Sequence, residues 1–174
     1  MLKVFIEKQL VGSLFQPESD WNKYHFRYEE NFSPHLAVSL SMPVVNENYT
    51  SEYKTLHPIF DMNLPEGALA DRLRKEFSKV IANFDALAML KIVGQSQVGR
   101  LRFAMPGETV HNVPEENLKQ LLAHDGAEGL FESLMNRYAI YSGISGAMPK
   151  IMLRDSQYGE THKRITHKGS THIV

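Results

Sequence analysis

Between Ser142 and Lys150 the chain reads Ser-Gly-Ile-Ser-Gly-Ala-Met-Pro-Lys, and Ile151-Met152-Leu153-Arg154 follows at once. Two glycines and two serines within five positions let a backbone bend sharply and bring its N–H groups up to an anion. A lysine then stands at the entry to a short apolar strand. Backbone donors on a small-residue turn, backed by an ammonium, are the parts of a glycine-rich loop that covers nucleotide phosphates. The plain alternative is a small-residue turn that opens a strand.

Other residues of chemical type offer less. His162, His167 and His172 recur at spacing five, but no acidic or cysteine partner stands at useful spacing. Solvated or strand-alternate histidines are therefore expected, and no metal site. Asp61 and Glu66 make a carboxylate pair on paper. Asp61 falls in the loop before a helix, and Glu66 falls in that helix's first turn, where a negative charge complements the dipole. Arg100 and Arg102 share one face of a strand, expected to be its solvated outer face. Trp21 and Phe60 could mark a partner surface, but the core is expected for both, since most aromatic side chains go there.

Composition excludes several function classes. The net charge of −1 gives no global field toward nucleic acid or an acidic membrane, so direct nucleic-acid binding is not expected. Without cysteine there are no disulfides and no thiolate metal sites, which suits a reducing compartment and an expected cytoplasmic location. The segment Met1-Leu2-Lys3-Val4-Phe5-Ile6-Glu7 is strand-like and reaches charge immediately, unlike a secretory leader. No apolar run approaches the ~18 residues that span a bilayer.

The elements that must hold the loop follow from periodicity. Leu2, Val4 and Ile6 alternate on one face, and Val11 to Phe15 can pair with them as a hairpin. Tyr24, Phe26 and Tyr28 alternate again. Leu36, Val38, Leu40 and Met42 read as a further strand ended by Pro43. Two helices come next. One carries Leu69, Leu73 and Phe77 and enters through Pro65. The other starts at Asn83 and buries Leu87, Leu90 and Val93. Val98 to Ala104 returns as a strand, and Met105-Pro106-Gly107-Glu108 looks like a joint. Beyond it, Pro114-Glu115-Glu116 opens a short helix with Leu118, Leu121 and Leu122 inward. A longer helix from Gly126 to Tyr141 carries Leu130, Leu134 and Tyr138 and delivers the chain into the Ser142 loop. Lys150 to Arg154 is a strand, Asp155 to Arg164 a polar excursion, and Ser170 to Val174 a last strand. The fold class is α+β: a small antiparallel sheet or barrel with two helices over residues 1–106, then a smaller unit over 107–174.

In this order the segments carry a resemblance. Tyr24-His25-Phe26-Arg27-Tyr28 leads to Ala37-Val38-Ser39-Leu40-Ser41-Met42-Pro43. Then come Phe60-Asp61-Met62-Asn63-Leu64-Pro65-Glu66-Gly67 and Asp85-Ala86-Leu87-Ala88-Met89-Leu90-Lys91-Ile92-Val93-Gly94. Ser145-Gly146-Ala147-Met148-Pro149-Lys150 and Thr171-His172-Ile173-Val174 complete the series. The chain resembles the N-terminal region of HipA-type serine/threonine kinase toxins, and Ser-Leu-Ser-Met-Pro and Asn-Leu-Pro-Glu-Gly are its most specific pieces.

The resemblance implies a HipA-type N-terminal subdomain over 1–106 and part of a kinase N-lobe over 107–174. Ser145, Gly146, Ala147, Met148, Pro149 and Lys150 would form the loop over the phosphates of ATP, bound with Mg²⁺. Members of the family autophosphorylate a serine in this loop, and the swung-out loop then destroys the phosphate site. Ser145 is the matching serine here and Ser142 the second. Gly143 stands where another serine is common, and Met148 where glutamine is common. In the family, Thr-His-Ile-apolar is followed by the lysine that grips the phosphates. The catalytic aspartate, its asparagine partner and the metal-binding aspartate belong to the C-lobe. The resemblance thus implies that these 174 residues alone phosphorylate nothing. Its implied partners are a HipB-type DNA-binding antitoxin or a kinase C-terminal chain, with an aminoacyl-tRNA synthetase as the protein substrate by family precedent. Some relatives encode the first subdomain as a separate chain that binds and restrains the kinase. That alternative makes an interaction protein rather than an enzyme.

Overall fold

Strand alternation builds the first sheet. In β1 (Leu2–Ile6), Leu2, Val4 and Ile6 are buried while Lys3 and Phe5 are half-exposed. A two-residue turn with Glu7 at φ 58° joins β1 to β2 (Gln9–Phe15), closing the expected hairpin with Leu2 opposite Leu14. In β3 (Tyr24–Tyr28) the three aromatic residues expected on one face are all buried. The computed structural model describes residues 1–30, 33–62, 64–108, 110, 115–117, 123, 127–146, 148, 150–155 and 172–173. A short polar strand, β4 (Tyr49–Ser51), pairs with β3, and β5 (Leu101–Ala104) pairs with β1. The five strands lie in the order β4-β3-β2-β1-β5, every pair antiparallel.

Two expectations fail within this sheet. Leu36 to Met42 is not a strand. A 3₁₀ turn over Pro34–Leu36 is followed by a tight turn from Ser39 to Met42. The buried Tyr28 hydroxyl holds both ends of that turn: it accepts from the Val38 amide at 2.8 Å and donates to the Met42 carbonyl at 2.5 Å. Val38 and Met42 are buried, and Leu40 at the apex is wholly exposed. Nor do Arg100 and Arg102 share a solvated face. All four residues of β5 are buried, so Arg102 is only 2% exposed and donates to the carbonyls of Gly99 and Leu101. Burial pulls its guanidinium down to about 10. Arg100 alone reaches solvent, where it donates to the Ala37 carbonyl.

Three helices follow β4: α1 (Pro58–Asp61), α2 (Gly67–Phe77) and α3 (Ala86–Val93). Phe60 joins the core as expected, with its ring 5.1 Å from that of Phe26 and 5.9 Å from that of Phe103. Trp21 does not, being 61% exposed. The α3 N-cap is Asp85, two residues beyond Asn83. Its Oδ1 accepts from the Ala88 amide at 2.8 Å, and its Oδ2 accepts from the Tyr24 hydroxyl at 2.7 Å. One carboxylate thus caps the helix and ties it to β3.

Burial, reinforced by the Asp85 hydrogen bond and charge, raises the Tyr24 phenol well above its ordinary 10.0. Its contribution to stability is complete below the unfolded value and is lost as pH rises toward the folded one, because the unfolded chain releases that proton first. Denaturant midpoints measured from about pH 8 to 11 should therefore fall above pH ~10. Tyr24→Phe should flatten the fall; an unchanged slope would remove Tyr24 as its cause.

After β5, the described residues Glu115–Glu116 form a strand, β6, and not the start of a helix. Leu118, Leu121 and Leu122 lie outside the described residues. The longer helix is α4 (Ala127–Tyr138), continued by a 3₁₀ turn over Ala139–Tyr141. β7 (Met152–Asp155) pairs with β6 in parallel and with β8 (His172–Ile173) antiparallel. Leu134, Met135, Tyr138, Ile151 and Leu153 close a second core with Leu69 and Leu73 of α2 and Met89 and Val93 of α3. Helices α2 and α3 therefore carry the later segments, including both roots of the Ser142 loop.

Candidate functional site

The loop is anchored first by a serine. Ser142 is fully buried; its Oγ donates to the Tyr138 carbonyl at 2.8 Å and accepts from the Met152 amide at 2.9 Å. One hydroxyl thus joins the end of α4 to the strand that leaves the loop, and both its roles are used. Gly143 makes the second anchor. Its amide donates to the Ser96 carbonyl at 3.0 Å, and its carbonyl accepts from the Val98 amide at 3.4 Å. A Cβ at Gly143 would lie 2.7 Å from Ser96 O, 2.8 Å from Gln97 Cγ and 3.0 Å from Val93 O. Gly143 is glycine because the end of α3 and the following turn occupy the space of a side chain. A three-residue turn, with the Ile144 amide donating to the Ser142 carbonyl at 2.9 Å, then sends the chain outward.

The outer part is built differently. Ser145 and Gly146 are half-buried, Met148 is exposed, and no hydrogen bond among the described residues engages the Ser145 hydroxyl. Gly146 has φ +126°, a conformation that disfavours any residue with a Cβ. A Cβ there would also collide with Lys150 Nζ. The lysine amine therefore folds back across the glycine, and Gly146 is what leaves it room. Ala147 and Pro149 lie outside the described residues. An ammonium held against a glycine turn can bind one anionic oxygen group. Among the described residues of the loop none is placed as a nucleophile–base pair.

Of the candidate residues, Ser145, Gly146, Met148 and Lys150 share this outer turn, whereas Ser142 belongs to its buried root. Asp61 and Glu66 stand elsewhere, around the entry to α2. Glu66 is the N-cap residue and not a first-turn residue, and burial and then its charge raise the Asp61 carboxyl. His172 sits on β8 opposite Leu153, while His162 and His167 lie outside the described residues. Among the described residues no group of three His, Cys, Asp or Glu side chains could hold a metal ion. Sequence reasoning missed the partners at the roots: Ser96, Gln97 and the Tyr138 carbonyl. Two of these contacts use main-chain atoms, which leave no mark in residue type.

Known families place the first part of the chain. The family model for the HipA N-terminal domain matches residues 2–104, more than half of the sequence. The chain belongs to this family. No curated protein matches it. The match covers the five-stranded sheet with α1 to α3, and the loop lies beyond it. Among the described residues no helix is long and apolar enough to cross a membrane.

Proposed function

We propose that this chain is the N-terminal portion of a HipA-type serine/threonine protein kinase toxin from a toxin–antitoxin pair. In this reading residues 107–174 are part of a kinase N-lobe and Ser145–Lys150 are its ATP phosphate loop. The observation that carries the reading is the Lys150 amine folded over Gly146, on a loop rooted in the core of a HipA-family chain. The Gly146 turn and Lys150 would face the phosphates, and ATP with Mg²⁺ would supply the transferable phosphoryl group. Charge neutralisation by one lysine falls far short of what phosphoryl transfer needs. The chain alone should therefore bind nucleotide weakly and transfer nothing. Ser145 is the better candidate for autophosphorylation, since Ser142 is closed in. A HipB-type antitoxin, a kinase C-terminal chain, an aminoacyl-tRNA synthetase substrate and a cytoplasmic setting complete the proposal.

Two measurements test it. Incubated with radiolabelled ATP and Mg²⁺, the purified chain should take up no label, and label on Ser145 would overturn its inactivity. In a protein that joins this chain to a catalytic lobe, Lys150→Met should lower phosphoryl transfer by about a hundredfold. Full activity of that variant would remove the loop from the reaction. The alternative reading, a non-catalytic chain that restrains a separate HipA-type kinase, draws on the family match ending at residue 104, before the loop. It predicts that adding this chain to such a kinase inhibits it.

A further inference from the structure

A concave feature clear of the loop lies beside α3. Trp21, Lys54, Asn83, Asp85 and Lys91 line a cavity of about 530 Å³, together with Gln16. That volume is in the range of small-molecule sites. Trp21, the single tryptophan of the chain, is 61% exposed there instead of packed in the core. Its backbone is fixed: Gln16 Nε2 donates to the Trp21 carbonyl at 2.6 Å, and the Asn22 amide donates to Asp20 Oδ1 at 3.0 Å.

Lys54 is presented at a conformational cost. It and Tyr53 are consecutive non-glycine residues in the left-handed region, φ 56° and 57°, and the Lys54 amide is held by the Asn22 carbonyl at 2.8 Å. Such backbone strain concentrates at ligand-binding segments. Lys91 enters from α3. Among the described residues neither Lys54 nor Lys91 forms an ion pair. The one carboxylate in the wall, Asp85, already accepts from the Ala88 amide and the Tyr24 hydroxyl.

We infer that this cavity is a binding site for a small planar aromatic anion of the nucleoside monophosphate class. In this arrangement the ring lies on the Trp21 indole, the phosphate meets Lys54 and Lys91, and the Asn83 amide is available to ring-edge atoms. Two lysines lining one cavity suit a compact dianion better than a chain of separated carboxylates. This site is separate from the Ser145–Lys150 loop and does not depend on the kinase reading.

As the single indole, Trp21 reports binding directly by its fluorescence. Adenosine monophosphate should quench it saturably, adenosine should bind about tenfold more weakly, and inorganic phosphate should cause no quenching. The double variant Lys54→Gln/Lys91→Gln should raise the Kd by at least about tenfold with no change in melting temperature, because both side chains are exposed. Lys150→Gln should leave the titration unchanged. The inference is overturned by an absence of saturable quenching at millimolar nucleotide, or by quenching that survives the double variant. Quenching lost with Lys150→Gln would place the nucleotide at the loop and overturn the cavity site alone. Quenching by a glutamate–tyrosine copolymer but not by the nucleotide would make the cavity a peptide-docking surface instead.

Discussion

Gly143→Ser should destabilise the chain by about 3 kcal/mol and detach the loop from its root. The substitution looks mild, since it adds one small side chain to a small-residue loop. Here the new Cβ meets Ser96 O at 2.7 Å and Val93 O at 3.0 Å, and both are backbone atoms. They cannot yield without shifting the end of α3, whose Val93 is fully buried in the second core. For a chain of this size the melting temperature should drop by roughly 6–12 °C. Exchange of the Val98 amide, which donates to the Gly143 carbonyl, should accelerate in parallel. A melting temperature within about 2 °C of the parent would mean that the α3 end yields easily and that the close approach is incidental. The serine would add no phosphorylation site, because the position is closed to solvent.

The sheet was legible where one strand face is buried and the other is not. β1 and β3 alternate cleanly, and the residues that the alternation puts inward are the buried ones. The same rule misled at Leu36 to Met42. Val38 and Met42 do point inward, but a tight turn with four-residue spacing satisfies this as well as a strand does. The deciding group was the Tyr28 hydroxyl, ten and fourteen residues away in sequence. Arg102 misled for a related reason. Alternation assigns one face of β5 to solvent, whereas all four of its residues are buried. β4 has three residues, Tyr49, Thr50 and Ser51, too few and too polar to announce a strand. Glu115 and Glu116 follow a proline and read as a helical first turn, yet they pair with Arg154 and Asp155 through main-chain bonds that residue type does not encode.

The candidate site divides along the same line. Its outer turn could be read from composition, because a glycine at positive φ and a lysine four residues on are chemical signals in themselves. Its roots could not. Gly143 looked like one more flexible residue of the loop, yet it does not adopt positive φ, and its role is to leave room for α3. Ser142 and Ser145 are both small hydroxyls beside glycines, and the resemblance ranks Ser145 first and Ser142 second without showing how their surroundings differ. The second core separates them, and that core comes from α2, α3, α4 and Ile151 together.

Removing each hydroxyl in turn makes that separation measurable. Ser142→Ala should cost about 3 kcal/mol, since it leaves the Met152 N–H and the Tyr138 carbonyl in a buried setting without their shared partner. Ser145→Ala should change stability by less than about 0.5 kcal/mol, as a half-exposed loop residue with no hydrogen bond among the described residues. The two variants differ by one oxygen at positions three apart, so differences in the unfolded state are small and the comparison isolates the folded contacts. Hydrogen exchange localises the effect: the Met152 amide should lose protection in Ser142→Ala and keep it in Ser145→Ala. If both variants melt together, the Ser142 hydroxyl is not holding the loop, and the path from α4 to β7 must be stabilised by packing of Ile151 and Tyr138 alone. If they separate as expected, Ser142 sets the position of the loop and Ser145 is left free for chemistry. On the proposed kinase reading, a complete enzyme that loses phosphorylation with Ser142→Ala would then report a displaced loop and not a missing phosphosite.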